Sequence, residues 1–276
     1  MARDFTANTA NYMSLGANAI GPLIDGAASF SVHFRVVFDT FHASGGAVGR
    51  DMVSACINST TAGFAISHLD PSGISGPRLR CGARSVSTDT YRVLDSSTDL
   101  STGTEYGIGC VYQISADNIV IYLNGASDGS GISGTWANAS YTNGTPTAHD
   151  GLGAAFGGTT PVSADRQLDG RLSEVAIWAG DIGAAGFASL GADRVSPLLV
   201  RPELLVSYFP LLGKYSPEID VVGGLAGTIT GTVAAADHPS VFTANARRLY
   251  FGTAAASAFQ AAWARGSNVI LGAGAP

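Results

Sequence analysis

Only four glutamates occur in 276 residues, Glu105, Glu174, Glu203 and Glu218, and that scarcity limits the chemistry the chain can carry. Hydrolysis of a glycosidic bond needs two carboxylates flanking it, about 5–9 Å apart. None of the four glutamates belongs to a Glu-x-Asp-x-x-Glu-like run of acids along one strand. Asp165, Asp169 and Glu174 come nearest to a cluster, and their spacing does not alternate. The five histidines, His33, His42, His68, His149 and His238, are scattered without metal-ligand spacing, so each is read as incidental. No serine sits in a nucleophile elbow. Gly-rich stretches such as "GASDGSGISG" lack the Lys-Ser/Thr of a phosphate cradle. These residues point away from catalysis.

A sugar is a more plausible target. "GASDGSGISGTWANASYTNGT" carries Trp136 and Tyr141 among Asp128, Asn138 and Asn143. Aromatic rings stack on the C–H faces of pyranoses, while amides and carboxylates bind hydroxyls. Trp136, Tyr141, Asp128 and Asn138 are therefore candidate glycan-binding residues. In the blander reading, which we favour, the rings cap the edge of the domain and the rest is solvated turn.

The elements that would position such residues are strands. Charged residues are 13% of the chain and glycines number 36, a composition of loop-rich β proteins rather than disordered ones. A net charge of −6 with no basic run argues against nucleic acid as a partner. The start, "MARDFTANTANYMSLG", has no apolar h-region, and no stretch reaches the ~18 apolar residues of a membrane span, so neither a secretory signal nor a membrane partner is expected. Cys56, Cys81 and Cys110 are odd in number and lack metal spacing; they read as free core thiols, which suits a reducing cytoplasm.

"SFSVHFRVVF" is the clearest strand, with Phe30, Val32, Phe34, Val36 and Phe38 on one face. "GFAISHL", "PRLRCGARS", "YGIGCVYQI", "IVIYLNG" and "RLSEVAIW" follow, separated by Gly/Ser/Thr/Asn-rich loops, the longest from Ala126 to about Thr147. Short strands punctuated in this way predict an all-β antiparallel sandwich. One helix is predicted in "GAAGFASLGADR" and another in "AAASAFQAAWAR" (254–265), where Phe259 and Trp263 form an i,i+4 pair.

Three blocks, in order and covering most of residues 5–190, resemble concanavalin A-like, laminin-G-like jelly rolls. "NYMSLG…ASFSVHFRVVF" is similar to their "ddyvsl…sFTisaWv" stretch. "DLSTGTEYGIGCVYQISADNIVIYLNG" is similar to their paired strands ending in an l-Y-v-N-G hairpin, and "LDGRLSEVAIWAGDIGAAGFASL" to their closing block. The resemblance implies a jelly-roll sandwich and is nearly silent on activity, since the fold hosts lectins, hydrolases and structural modules. The Glu-x-Asp-x-x-Glu-like run of its hydrolases is absent here. Glu174 falls at the family's structural glutamate, which implies a hydrogen-bonding role. Calcium, frequent in this superfamily, would have Asp128 and Asp169 as ligands; no other cofactor is implied.

The family's first strand is missing at the front, and "LVSYFPLLGKYSPEIDVVGGLAGTITGT" resembles it. The chain therefore reads as circularly permuted: a sandwich over 1–243, with its first family strand displaced to 204–232 and a short helix and linker at 182–203. Donation of that strand to a neighbouring subunit and a truncated second jelly roll are the alternatives. Residues 244–276 read as a C-terminal arm carrying the second helix, with Arg247, Arg248, Phe259 and Trp263 as a candidate assembly interface. The displaced strand followed by such an arm resembles laminin-G-like proteins of tailed-bacteriophage virions. The leading functional expectation is thus a non-enzymatic virion structural protein, a capsid decoration or tail-associated jelly roll. It would be made in the host cytoplasm and contact other virion proteins and copies of itself. The alternative, from a different class, is a carbohydrate-binding module that recognises a glycan.

Overall fold

Among the described residues the chain forms sixteen strands and one α-helix, many of the strands built on alternation of apolar and polar side chains. The computed structural model describes residues 2–6, 11–42, 49–55, 62–69, 76–144, 146–162, 166–213, 216–231 and 233–238. The strands are β1 (Ala2–Phe5), β2 (Tyr12–Ala17), β3 (Phe30–Phe38), β4 (Arg50–Ala55), β5 (Gly63–Leu69), β6 (Arg78–Arg84), β7 (Arg92–Asp95) and β8 (Glu105–Gln113). They continue with β9 (Asn118–Leu123), β10 (Ala126–Ser130), β11 (His149–Leu152), β12 (Gly170–Trp178), then helix α1 (Gly183–Gly191), and β13 (Leu205–Phe209), β14 (Glu218–Ile219), β15 (Ala226–Thr230) and β16 (Ala234–Ala236). The arm expected over 244–276, including Arg247, Arg248, Phe259 and Trp263, lies outside the described residues, as do Cys56 and Asp165.

Two antiparallel sheets form the sandwich. One runs β10-β9-β8-β3-β12-β1-β16, and the other β14-β15-β2-β11-β4-β5-β6-β7. Between them Phe30, Phe34 and Phe38 of β3 meet Met13, Phe64 and Ile66 of the second sheet, all fully buried. Each such side chain contributes roughly 1.5–3 kcal/mol by leaving water. The β8–β9 connection is read correctly from "SADN", and β9 ends at Asn124-Gly125, where both residues take positive φ, the backbone of a tight hairpin into β10.

Cys81 on β6 and Cys110 on β8 form a disulfide between the sheets, with Cα atoms 6.7 Å apart. This corrects the reading of these two as free thiols. Both face inward on strands of opposite sheets, a juxtaposition that their spacing along the chain does not show.

The outer face of the first sheet is also covered. Helix α1 lays Phe187 flat on Tyr122, ring centroids 4.3 Å apart, in a second apolar cluster with Trp178, Leu190, Leu205 and Tyr208. Gly109 makes this docking possible, because a Cβ there would stand 2.2 Å from Phe187. His33 and Arg35, which alternate away from the main core, are buried under this layer rather than solvated. Arg35 donates to the carbonyls of Leu190 and Gly191 and so caps the end of α1 with a cation, where the helix dipole favours one.

The displaced strand pairs within its own chain. β13 lies antiparallel on β12, with Val175 opposite Phe209 and Ile177 opposite Ser207, beside β1 on the same edge. β15 then crosses to the second sheet and pairs with β2. β16 returns to the first sheet against β1, with Ala2 opposite Ala236. A buried ion pair, Arg3 to Glu218 at 2.7 Å, ties the start of the chain to this returning segment. The Asp220 turn seals the outer edge of β13: one carboxylate oxygen accepts the N–H groups of Tyr208, Val222 and Gly223 at 2.8–2.9 Å.

Candidate functional site

The loop after β10 does not present the platform its composition suggests. Trp136 keeps 6% of its surface and Tyr141 none. Tyr141 packs edge-on against Phe30 at 5.7 Å, and its backbone is pinned by hydrogen bonds to Ala27 and Gly26. Both rings are buried in the main core, where the favoured reading put them, so Trp136 and Tyr141 offer no ring face to a glycan. Asp128 accepts from Ser97 Oγ at 2.6 Å and Thr98 Oγ1 at 2.7 Å, which holds a neighbouring turn. Asn138 donates to Thr142 Oγ1 within its own loop. Asp169 pairs with Arg50 at 3.2 Å and lies just before the start of β12, with three strands between it and Asp128 on β10, so the two cannot share a calcium ion. Among the described residues no group of three His, Cys, Asp or Glu side chains is arranged to hold a metal.

Glu174 has the hydrogen-bonding role expected of it. It sits at a β-bulge in β12 with φ +55 and is 1% exposed. Tyr208 donates its hydroxyl to Oε2 at 2.7 Å, and His238 Nε2 stands 2.9 Å from Oε1. The same Nε2 lies 3.0 Å from the Pro210 carbonyl, which can only accept, so Nε2 carries the hydrogen. Burial and the adjacent Glu174 carboxylate push the Tyr208 phenol above its ordinary range. This cluster locks β13 and the end of β16 onto β12. The other glutamates are committed as well: Glu105 to Arg35 and Arg194, Glu203 to Arg201, and Glu218 to Arg3.

A cleft of about 350 Å³ opens instead on the outer face of the second sheet, where β15, β2 and β11 lie side by side. Its lining includes the side chains of Tyr12, Ser14, His149, Thr159, Thr228 and Thr230. Local alternation places them there. In β2, Met13 and Leu15 enter the core while Tyr12 and Ser14 face out. In β15, Ile229 packs against the core while Thr228 and Thr230 face out. The register sets Thr228 opposite Ser14 and Thr230 opposite Tyr12, so hydroxyls flank the ring.

A glycine and a buried ring hold Tyr12. Gly151, opposite Ser14 on β11, leaves its place to the Phe156 ring; a Cβ there would meet Phe156 Cε2 at 2.3 Å. Phe156 then supports Tyr12 at 5.3 Å in an edge-to-face contact and His149 at 5.9 Å. Ser14 Oγ and His149 Nδ1 are 2.8 Å apart. Sequence reasoning missed this site. His149 had been read as incidental, and Tyr12 and Thr228 are brought together by pairing between residues more than 200 positions apart. The local signal was the alternation in "YMSLG" and "GTIT".

Comparison with known proteins agrees with the architecture. A protein from Bacteroides ovatus described as a "putative carbohydrate binding protein" has a TM-score of 0.58 at 19% identity, over 87% of this chain and 61% of its own. This chain thus spans about three fifths of that protein's length. The CBM40 of a Ruminococcus gnavus sialidase, in a structure bound to α2,3-sialyllactose, has a TM-score of 0.52 at 9% identity, over 69% of this chain and 96% of its own. The NanB sialidase of Streptococcus pneumoniae has a TM-score of 0.50 at 13% identity, over 68% of this chain and 27% of its own. At these identities the likeness is one of fold. No curated protein matched. The laminin-G-like family described as the concanavalin A-like lectin/glucanases superfamily matches residues 7–185. By that match the chain belongs to the concanavalin A-like lectin/glucanases superfamily.

Proposed function

We propose that the chain is a non-catalytic carbohydrate-binding module that takes its ligand in the Tyr12–His149 cleft. The observation that carries this reading is the cleft itself: a buttressed, half-exposed aromatic ring flanked by hydroxyls and an imidazole on an exposed sheet face. Such a surface suits the mixed apolar and hydroxylated face of a sugar. Two proteins of similar fold are described as binding carbohydrate, which supports the reading. The commitment of all four glutamates to cations or hydroxyls speaks for binding rather than hydrolysis. The test is binding of the protein to an immobilised glycan panel beside Tyr12→Ala. The expected result is a loss of about ten-fold or more in the variant. Undiminished binding by Tyr12→Ala would place the site elsewhere.

The virion role is the second reading, and one observation favours it. Leu212, Ile219, Val221 and Val222 leave apolar side chains exposed around the Asp220 turn, a surface suited to protein–protein contact. In this reading residues 244–276 are the assembly segment, and the protein resides in the virion of a tailed phage among other virion proteins. Removal of residues 253–276 should leave a folded sandwich that no longer joins its particle. Normal incorporation of the truncated chain would end this reading.

A further inference from the structure

Resting on the carbohydrate-binding reading, we infer that the Tyr12–His149 cleft selects an uncharged glycan and discriminates against sialic and uronic acids. Among the described residues that line it there is no arginine, lysine, aspartate or glutamate. A carboxylate sugar held there would lose water without gaining a cation, and an unpaired buried charge is the costliest group to desolvate. Acidic ligands are commonly held by a forked guanidinium, which this cleft lacks. Arg166, in the connection between β11 and β12, is paired with buried Asp51 at 3.0 Å.

What the cleft does offer is hydrogen bonding in both directions. Four hydroxyls, on Ser14, Thr159, Thr228 and Thr230, can each donate and accept, as sugar hydroxyls do. The imidazole of His149 completes the set. Ser14 Oγ accepts the Gly16 N–H at 3.3 Å and lies 2.8 Å from His149 Nδ1, which fixes the imidazole in the cleft. The volume of about 350 Å³ suits a mono- or disaccharide unit against the Tyr12 ring. The net charge of −6 adds a long-range bias against anions.

The experiment is a glycan array of matched pairs: neutral hexose-terminated oligosaccharides and the same oligosaccharides capped with sialic or uronic acid. The intact chain should bind neutral members at least about ten-fold better than their acidic partners. Tyr12→Ala and His149→Ala, checked for unchanged melting temperature, should both lose that binding. Thr228→Lys, which sets a cation on the rim at an exposed position, should narrow the gap between the pairs. Equal or tighter binding of the acidic members would overturn the selectivity while leaving the carbohydrate-binding reading in place. Neutral binding that survives both cleft variants would overturn the assignment to this cleft. Binding to no glycan on the array would overturn the carbohydrate reading itself.

Discussion

A methyl group added at Gly151 would stand 2.3 Å from the Phe156 ring and 2.8 Å from the Ala154 carbonyl, so Gly151→Ala forces the ring out. Overpacking of this kind costs roughly 1–3 kcal/mol. The melting temperature should fall, and glycan binding with it, because Phe156 is the edge on which Tyr12 rests. Binding kept at full strength would show that Tyr12 needs no such support. Three other buried residues set the response to pH. Burial, helped by the charges of Arg35 and Arg50, pushes His33 and His68 down to about 3. As pH falls through 6.5 toward 3, the unfolded chain takes up two protons that the folded chain refuses, and stability is lost. Asp51 acts oppositely. Burial outweighs the adjacent Arg166 and raises it from 3.8 to about 7, so between those values the folded chain holds a proton that the unfolded chain has released. Two histidines outweigh one carboxyl, and the melting temperature should drop on acidification below pH 6.5. Asp51→Asn removes the opposing group and should steepen that drop; an unchanged slope would mean that Asp51 is ionised throughout.

Among the elements, β6 and β8 are joined covalently as well as by packing. The Cys81–Cys110 bridge closes a loop over a separation of 29 residues. Constraining the unfolded chain by a loop of that size contributes about 3–4 kcal/mol. The paired substitution Cys81→Ala with Cys110→Ala should lower the urea midpoint accordingly, and an unchanged midpoint would show the bridge to be energetically idle. How far such elements were legible depended on the range of the forces that make them. β3, β5, β6, β8, β9 and β12 were visible because alternation is local, as in Phe30, Val32, Phe34, Val36 and Phe38. So was α1, despite its glycines. β4 and β11 carry no such stripe; every described residue of β4 is buried, so its two faces do not differ in polarity. β10, read as loop, is a short exposed edge made regular only by β9. The partner of β13 was legible because the resemblance named the slot it fills, whereas the cleft was not. Tyr12 needs Gly151 and Phe156 behind it and Thr230 beside it, and no local pattern announces those three neighbours. Trp136 and Tyr141 stand among polar residues, yet, as the favoured reading had it, they are buried in the main core, Tyr141 against Phe30.

For the molecule as a whole, the pairing of β1 with β16 decides how it bears load. Ala2 faces Ala236 and Asp4 faces Ala234, so both strands enter the ladder from the same end. A force that separates the chain at residues 2 and 236 pulls these three pairs apart one after another, as a zipper opens, instead of shearing them together. Peeling a short antiparallel edge in this direction takes little force, and it should stop at Arg3–Glu218, the first buried charge pair behind the edge. Single-molecule stretching through those two points should therefore show a low-force extension before the main rupture, and Glu218→Gln should shorten the pause between them. Throughout that first extension the Tyr12 cleft, built on β2, β11 and β15 of the opposite sheet, should keep its shape. A tether attached at residues 2 and 236 would have slack to yield before the proposed binding cleft is disturbed.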